Sequence, residues 1–213
     1  SDNFAFKFDN TPPNNPAYIT APSTFISSKS ATLSWATSGD DAASDNNSGV
    51  VGLQYKIGAA GIWYGDSHSG TEDTTDLLAN DGSYATQSTP DYVNLTDGNN
   101  VIYFRTWDAA GNATQANVTT VLKINTAGSP SAPRNVTATP SSNTQNSFAF
   151  SWIAPTSFVG QAGTLTYCYT INTQPTEQTC TFTAPGTTNI PAGAFATQPG
   201  TNTFYVVAKD ESG

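Results

Sequence analysis

Residues 98–111 read GNNVIYFRTWDAAG, and residues 200–213 read GTNTFYVVAKDESG. The two stretches align without a gap, and each runs from a glycine through alternating side chains to an aspartate followed by a short polar turn. Alternation of period two is typical of a β-strand with one buried face. The repetition predicts that one β-rich module occurs twice along the chain.

Two shorter matches extend the repeat upstream, since LSW at 33–35 matches FSW at 150–152 and YKI at 55–57 matches YTI at 169–171. Trp35 and Trp152 are expected to fill the space between two sheets. The Pro- and Gly-containing stretch 127–133 is typical of a linker. We therefore predict an all-β chain of two tandem antiparallel β-sandwiches.

The charge balance excludes some partners. The chain carries 7 basic and 16 acidic side chains, a net charge of −9. So few basic residues cannot neutralise a run of phosphates, which argues against nucleic acid as a partner. No stretch approaches the roughly 20 apolar residues of a membrane span, so none is predicted.

The quoted strands and their flanks resemble tandem bacterial immunoglobulin-like and fibronectin type III modules of secreted or cell-surface proteins. The segments that carry the resemblance are TLSW (32–35), FSW (150–152), DNTPPNNP (9–16), SPSAPRNV (129–136), WDAAGN (107–112) and KDESG (209–213). The resemblance implies a scaffold rather than an activity, and an extracellular or cell-surface location.

Three segments follow from the alignment of the copies. Residues 1–10 form an extra N-terminal strand, residues 11–126 an immunoglobulin-like sandwich, and residues 127–213 a fibronectin type III-like sandwich that lacks its last strand. The first sandwich carries an insertion near 66–90, in which residues 73–80 suit one helical turn. A strand is expected at 91–95.

The extra N-terminal strand has the sequence pattern of the strand that the second sandwich lacks. Phe4, Phe6 and Phe8 alternate onto one face, and residues 7–11 match residues 123–127 at the end of copy one. We predict that residues 3–9 complete the second domain of a neighbouring unit, because an open hydrophobic edge invites pairing with a strand. Head-to-tail exchange of this kind builds an open fibre.

The two cysteines, Cys168 and Cys180, fall on strands expected to be neighbours. With a single histidine in the chain, a zinc site is excluded in practice, and a disulfide is the better interpretation. It indicates an oxidising compartment. Because Tyr167 and Tyr169 are expected to face the core, the bridge should lie on the outer, solvent-near face.

Oxygen ligands cluster in the loops of copy one. Such ligands at one end of a module suit Ca²⁺, which takes 6–8 of them, and a solvated acidic loop is the alternative. The candidate calcium ligands are Asp9, Asp40, Asp41, Asp45, Asp108 and Asn112.

Catalysis is not predicted. A Ser-His-Asp triad would have to use His68, the only histidine, and no Gly-x-Ser-x-Gly elbow presents a nucleophile. The leading hypothesis is a structural, non-enzymatic module pair of a surface fibre, filament or adhesin stalk.

Two alternatives stay open. One is a module that binds a surface glycan or receptor through the 66–90 insertion, and the other is a spacer appended to a secreted enzyme. Exposed aromatic residues could stack on sugars or simply pack across strands. These residues are Trp63, Tyr64, Tyr103 and Trp107.

Overall fold

The computed structural model describes residues 5, 7–67, 72–86 and 91–213, without the side chains of 91 and 92. The chain divides into two compact units, unit one (Ser1–Thr126) and unit two (Ala127–Gly213). The described residues of unit one form strands β1 (Ala31–Ser34), β2 (Val50–Ile57), β3 (Leu78–Ala79), β4 (Ser83–Thr86), β5 (Gly98–Asp108) and β6 (Val118–Ile124), with a short helix α1 (Asp91–Asn94). Those of unit two form β7 (Arg134–Thr139), β8 (Phe148–Ile153), β9 (Thr166–Ile171), β10 (Thr181–Phe182), β11 (Asn189–Gly193) and β12 (Phe204–Lys209), with a 3₁₀ turn at Ala162–Thr164.

Unit one is a sandwich of an antiparallel four-stranded sheet, in the order β3-β2-β5-β6, and the two-stranded sheet β1-β4. Strand β5 shows the alternation that the sequence predicts. Ile102 and Phe104 are fully buried, whereas Tyr103 and Arg105 between and beside them are half-exposed. The buried set faces the core, as a strand with one covered face requires.

Aromatic rings fill the core of unit one. The Tyr55 ring lies 4.8 Å from the ring of Tyr84, and the Tyr84 hydroxyl donates a 2.9 Å hydrogen bond to the Tyr55 hydroxyl. The Trp35 ring lies 6.1 Å from Phe104. At Gly52, a Cβ atom would meet the Leu78 carbonyl oxygen at 2.5 Å, so the close approach of β3 to β2 requires glycine there.

Unit two is a sandwich of two antiparallel three-stranded sheets, β11-β8-β7 and β10-β9-β12. The Trp152 ring packs edge-on against Tyr167 at 5.1 Å, and Phe204 stacks on Phe150 at 3.9 Å. Trp35 and Trp152 are both buried in their cores.

The sheet that contains the repeated strands has four strands in unit one and three in unit two. The aligned residues make β2 equivalent to β9 and β5 equivalent to β12, and β3 and β10 occupy the same place at the edge beside them. In unit one, β6 covers the far side of β5. No strand in the described part of the chain takes the corresponding place beside β12.

Two local expectations were wrong. Residues Asp91–Asn94 form a helix rather than the expected strand at 91–95, and Leu78–Ala79 pair with β2 rather than closing a helical turn. In both places the segment is too short for its side-chain pattern to distinguish the two states, so tertiary pairing decides.

Candidate functional site

The open side of unit two holds a cavity of about 600 Å³. Its apolar wall comes from both sheets, and its polar rim from the turn before β12. The lining residues used below are Val136, Phe148, Phe150, Ile171, Phe204 and the turn 200–202. The opening borders β12 and β7.

Strand β7 borders this opening and is unusually uncovered. All six residues of Arg134–Thr139 are exposed, including Val136 on the cavity side. A strand of a sandwich normally buries alternate side chains against the other sheet. The exposure of both faces of β7 indicates that unit two lacks cover along this side in the described residues.

The free side of β12 carries backbone hydrogen-bonding groups. Asn172 N–H donates to the Thr203 carbonyl, so Thr203 directs its backbone toward the β9 side. Because backbone groups alternate in direction along a strand, the N–H and C=O groups of Phe204 and Val206 point the other way. This edge can therefore form a ladder with an added strand.

The segment expected to supply that strand is only partly described. Phe4 and Phe6 lie outside the described residues, and Phe8 is 80% exposed. Its neighbour Asp9 is anchored to unit one, because it accepts a 2.6 Å hydrogen bond from the Ser48 hydroxyl. The chain therefore leaves unit one at a fixed point immediately before residue 9.

A candidate metal centre surrounds that point. Carboxylate oxygens of Asp9, Asp45 and Asp108 lie within 4.8 Å of one another. They come from the linker, from the loop before β2 and from the end of β5. Asn112 joins the group through its side-chain amide, which donates to Asp108 Oδ2 at 2.8 Å.

Backbone N–H groups hold two of these carboxylates. Asp45 Oδ2 accepts from the N–H groups of Ser48 and Gly49 at 2.7 and 2.5 Å. Asp108, which is 2% exposed, accepts from the N–H groups of Ala110 and Asn112 at 2.9 and 2.8 Å. These bonds fix the orientation of the oxygens before any cation binds.

Hydrogen bonding also sets the charge of Asp9. The Ser48 hydroxyl, and after it the Thr11 N–H, hold the pKa of the Asp9 carboxyl below its ordinary value. Asp9 is therefore ionised at neutral pH. The other two predicted ligands, Asp40 and Asp41, are exposed and lie outside the three-carboxylate group.

Cys168 and Cys180 form a disulfide with a Cα–Cα distance of 5.2 Å. Cys168 lies in β9, and Cys180 immediately precedes β10 rather than lying in a strand. The expectation of a solvent-near bridge was wrong in part, because Cys168 is 2% exposed.

The outer face of β2 and β5 carries an aromatic and cationic cluster. The Arg105 guanidinium lies 4.4 Å from the centre of the Trp63 ring and 5.2 Å from that of Trp107. It also donates to Gln54 Oε1 and pairs with Glu72 at 2.7 Å. These contacts favour cross-strand packing over sugar stacking, because cations cover the ring faces. Tyr64, expected to be exposed, is buried.

His68 lies outside the described residues. Of the insertion near 66–90, the described part contributes β3 and β4 to the two sheets of unit one. No helix among the described residues is long and apolar enough to cross a membrane.

Each of the two units is thus an antiparallel β-sandwich. No protein-family model and no curated protein sequence matches the chain. Among solved structures, it is similar to the FN1–FN3 domains of chicken CNTN1, with 12% sequence identity and a TM-score of 0.37. That match covers 95% of this chain and 62% of the other.

Proposed function

We propose that the chain is a structural, non-enzymatic pair of extracellular modules of a surface fibre, filament or adhesin stalk. Residues 3–9 of one copy complete unit two of a neighbouring copy. The observation that carries the proposal is the open side of unit two. Strand β12 lacks the neighbour that β6 provides for β5, and a cavity of about 600 Å³ opens beside it.

Two further features support an extracellular scaffold. The disulfide between Cys168 and Cys180 suits an oxidising compartment. The cavity of about 600 Å³ adjoins β12 of unit two, and carboxylates of unit one accept hydrogen bonds from backbone N–H groups. This arrangement suits assembly and spacing better than chemistry.

Sedimentation velocity across a series of protein concentrations tests the proposal. A series of head-to-tail oligomers whose size increases with concentration is expected, because each copy of the chain offers one donor strand and one open edge. A chain that stays monomeric at every concentration, and instead gives a signal on a glycan array, would contradict it and support the carbohydrate-binding alternative.

A second proposal is that Asp9, Asp45 and Asp108 bind Ca²⁺. The convergence of three carboxylates within 4.8 Å favours it, and a flip of the Asn112 amide would add a fourth oxygen ligand. Such a site would fix the linker to unit one.

Calcium is then expected to raise the melting temperature of unit one. At a hundredfold excess over the dissociation constant, binding contributes about 2.7 kcal/mol to the free energy of unfolding. Differential scanning calorimetry with and without CaCl₂ measures the shift, and Asp45→Asn should remove most of it. Asp40→Asn is the matched control, because Asp40 lies outside the group. An equal shift in all three proteins, or none, would rule out this site.

A further inference from the structure

The turn before β5 and the turn before β12 are built alike. In unit one, Asn100 accepts from the Thr96 N–H at 2.9 Å and donates to the carbonyls of Thr96 and Gly98 at 2.7 and 3.2 Å. Gly98 has a φ of 108°. The Asn100 side chain thus holds the turn through hydrogen bonds to the backbone of Thr96 and Gly98.

The same bonds recur 102 residues later. Asn202 accepts from the Gln198 N–H at 2.9 Å and donates to the carbonyls of Gln198 and Gly200 at 2.7 and 3.1 Å. Gly200 has a φ of 106°. The two turns therefore make the same hydrogen bonds at equivalent residues, so the strand pairings that follow them can be compared.

In unit one, the asparagine amide makes one bond more. Asn100 Nδ2 also donates to the carbonyl of Leu122 on β6 at 3.3 Å, and Asn100 pairs with Leu122 in the ladder. For Asn202 Nδ2, the described residues supply no corresponding acceptor on a neighbouring strand. The position of the missing acceptor is thus fixed by the equivalent bond in unit one.

The N-terminal segment aligns with β6 itself. The match of residues 7–11 to 123–127 places Phe8 at the position of Ile124 and Phe6 at that of Leu122. Both β6 residues are fully buried. Phe4 then takes the position of Thr120, which pairs with Ile102 in β5.

Transfer of the β5–β6 pairing to β12 gives a single register. Phe4 lies opposite Phe204, Phe6 opposite Asn202, and Phe8 opposite Gly200. Each phenylalanine then faces the cavity, whose wall includes Phe148, Phe150 and Ile171. In the same register Ala5 and Lys7 face outward, opposite the exposed Thr203 and Thr201.

We infer that residues 3–9 of a second copy add to β12 in this antiparallel register, with the carbonyl of residue 6 accepting from the Asn202 amide as the Leu122 carbonyl accepts from the Asn100 amide. The inference rests on the proposed function, since it names where and how the donor strand binds. Strand exchange could occur in several registers, and here each residue of the added strand has one specified partner in β12.

Disulfide trapping between two variants of the full chain, each with one added cysteine beside the native Cys168–Cys180 bridge, tests the register. One chain carries Ala5→Cys or Lys7→Cys, and the other carries Thr203→Cys or Thr201→Cys. Directly opposite Cβ atoms lie about 4.5–5.5 Å apart and diagonal ones farther, so only opposite pairs should crosslink readily. Dimers are expected for 5 with 203 and for 7 with 201, and a severalfold lower yield for 5 with 201 and 7 with 203, measured on non-reducing gels.

The outcomes separate the register from the proposed function. Preferential trapping of a diagonal pair would overturn this register while leaving strand exchange intact. No trapping in any pair, although the full chain self-associates, would show that another surface drives assembly. No trapping and no association would overturn the proposed function together with the inference.

Discussion

A chain that lacks residues 1–9 is expected to stay monomeric at concentrations where the full chain forms head-to-tail oligomers. The deletion removes the donor strand and leaves the acceptor edge of β12 intact. Burial of three phenylalanine side chains in the acceptor would contribute roughly 5–9 kcal/mol before ordering costs. Loss of that burial should eliminate association rather than weaken it, and sedimentation velocity measures the result.

A triple substitution tests whether the apolar side chains of the strand, and not only the length of the chain, are needed for association. Phe4→Ser, Phe6→Ser and Phe8→Ser keep the backbone and remove the apolar face, so the variant should behave like the deletion. A chain shortened by residues 1 and 2 alone is the control and should associate normally. Oligomers that persist after the deletion would contradict the donor role of residues 3–9.

Phe104→Ala is expected to destabilise unit one by about 3–5 kcal/mol, because it opens a cavity in a packed core. The ring is fully buried and packs against Trp35 and Tyr55 at 6.1 and 6.2 Å between ring centres. Calorimetry should show the unit-one transition lowered by roughly 10–20 °C. Because the chain forms two compact units, the unit-two transition should stay in place.

Val101→Ala on the same strand is the matched control. Its side chain is on the outer face and 38% exposed, so the change should stay below about 1 kcal/mol. A shift of both transitions by Phe104→Ala would instead mean that the two units unfold together.

The sandwich fold could be predicted from the sequence because the alternation in β5 and β12 reports one buried face. The burial of Ile102 and Phe104 in the structure agrees with that alternation. It could not predict α1, since Asp91–Asn94 are too few residues for helical and strand periodicities to differ. The short pairing of Leu78 with Leu53 likewise depends on tertiary contact.

The candidate sites were predictable to different degrees. The loop positions in the sandwich pointed to Asp9, Asp45 and Asp108, but they could not separate these residues from Asp40 and Asp41, which lie outside the three-carboxylate group. The Asn100 and Asn202 turns were missed. Their signal was present as an asparagine two residues after each aligned glycine, but only the hydrogen bonds reveal what the side chain does.

The bridge between Cys168 and Cys180 also has a mechanical consequence. The two cysteines are separated by 12 positions in the sequence. An extended residue spans at most about 3.3–3.6 Å, so the closed loop withholds about 40 Å of contour length from a molecule pulled at its ends. The increase in length when unit two unfolds under force is therefore smaller in the oxidised protein than in the reduced one. Strand β9 also stays linked to the chain leading into β10 throughout the extension.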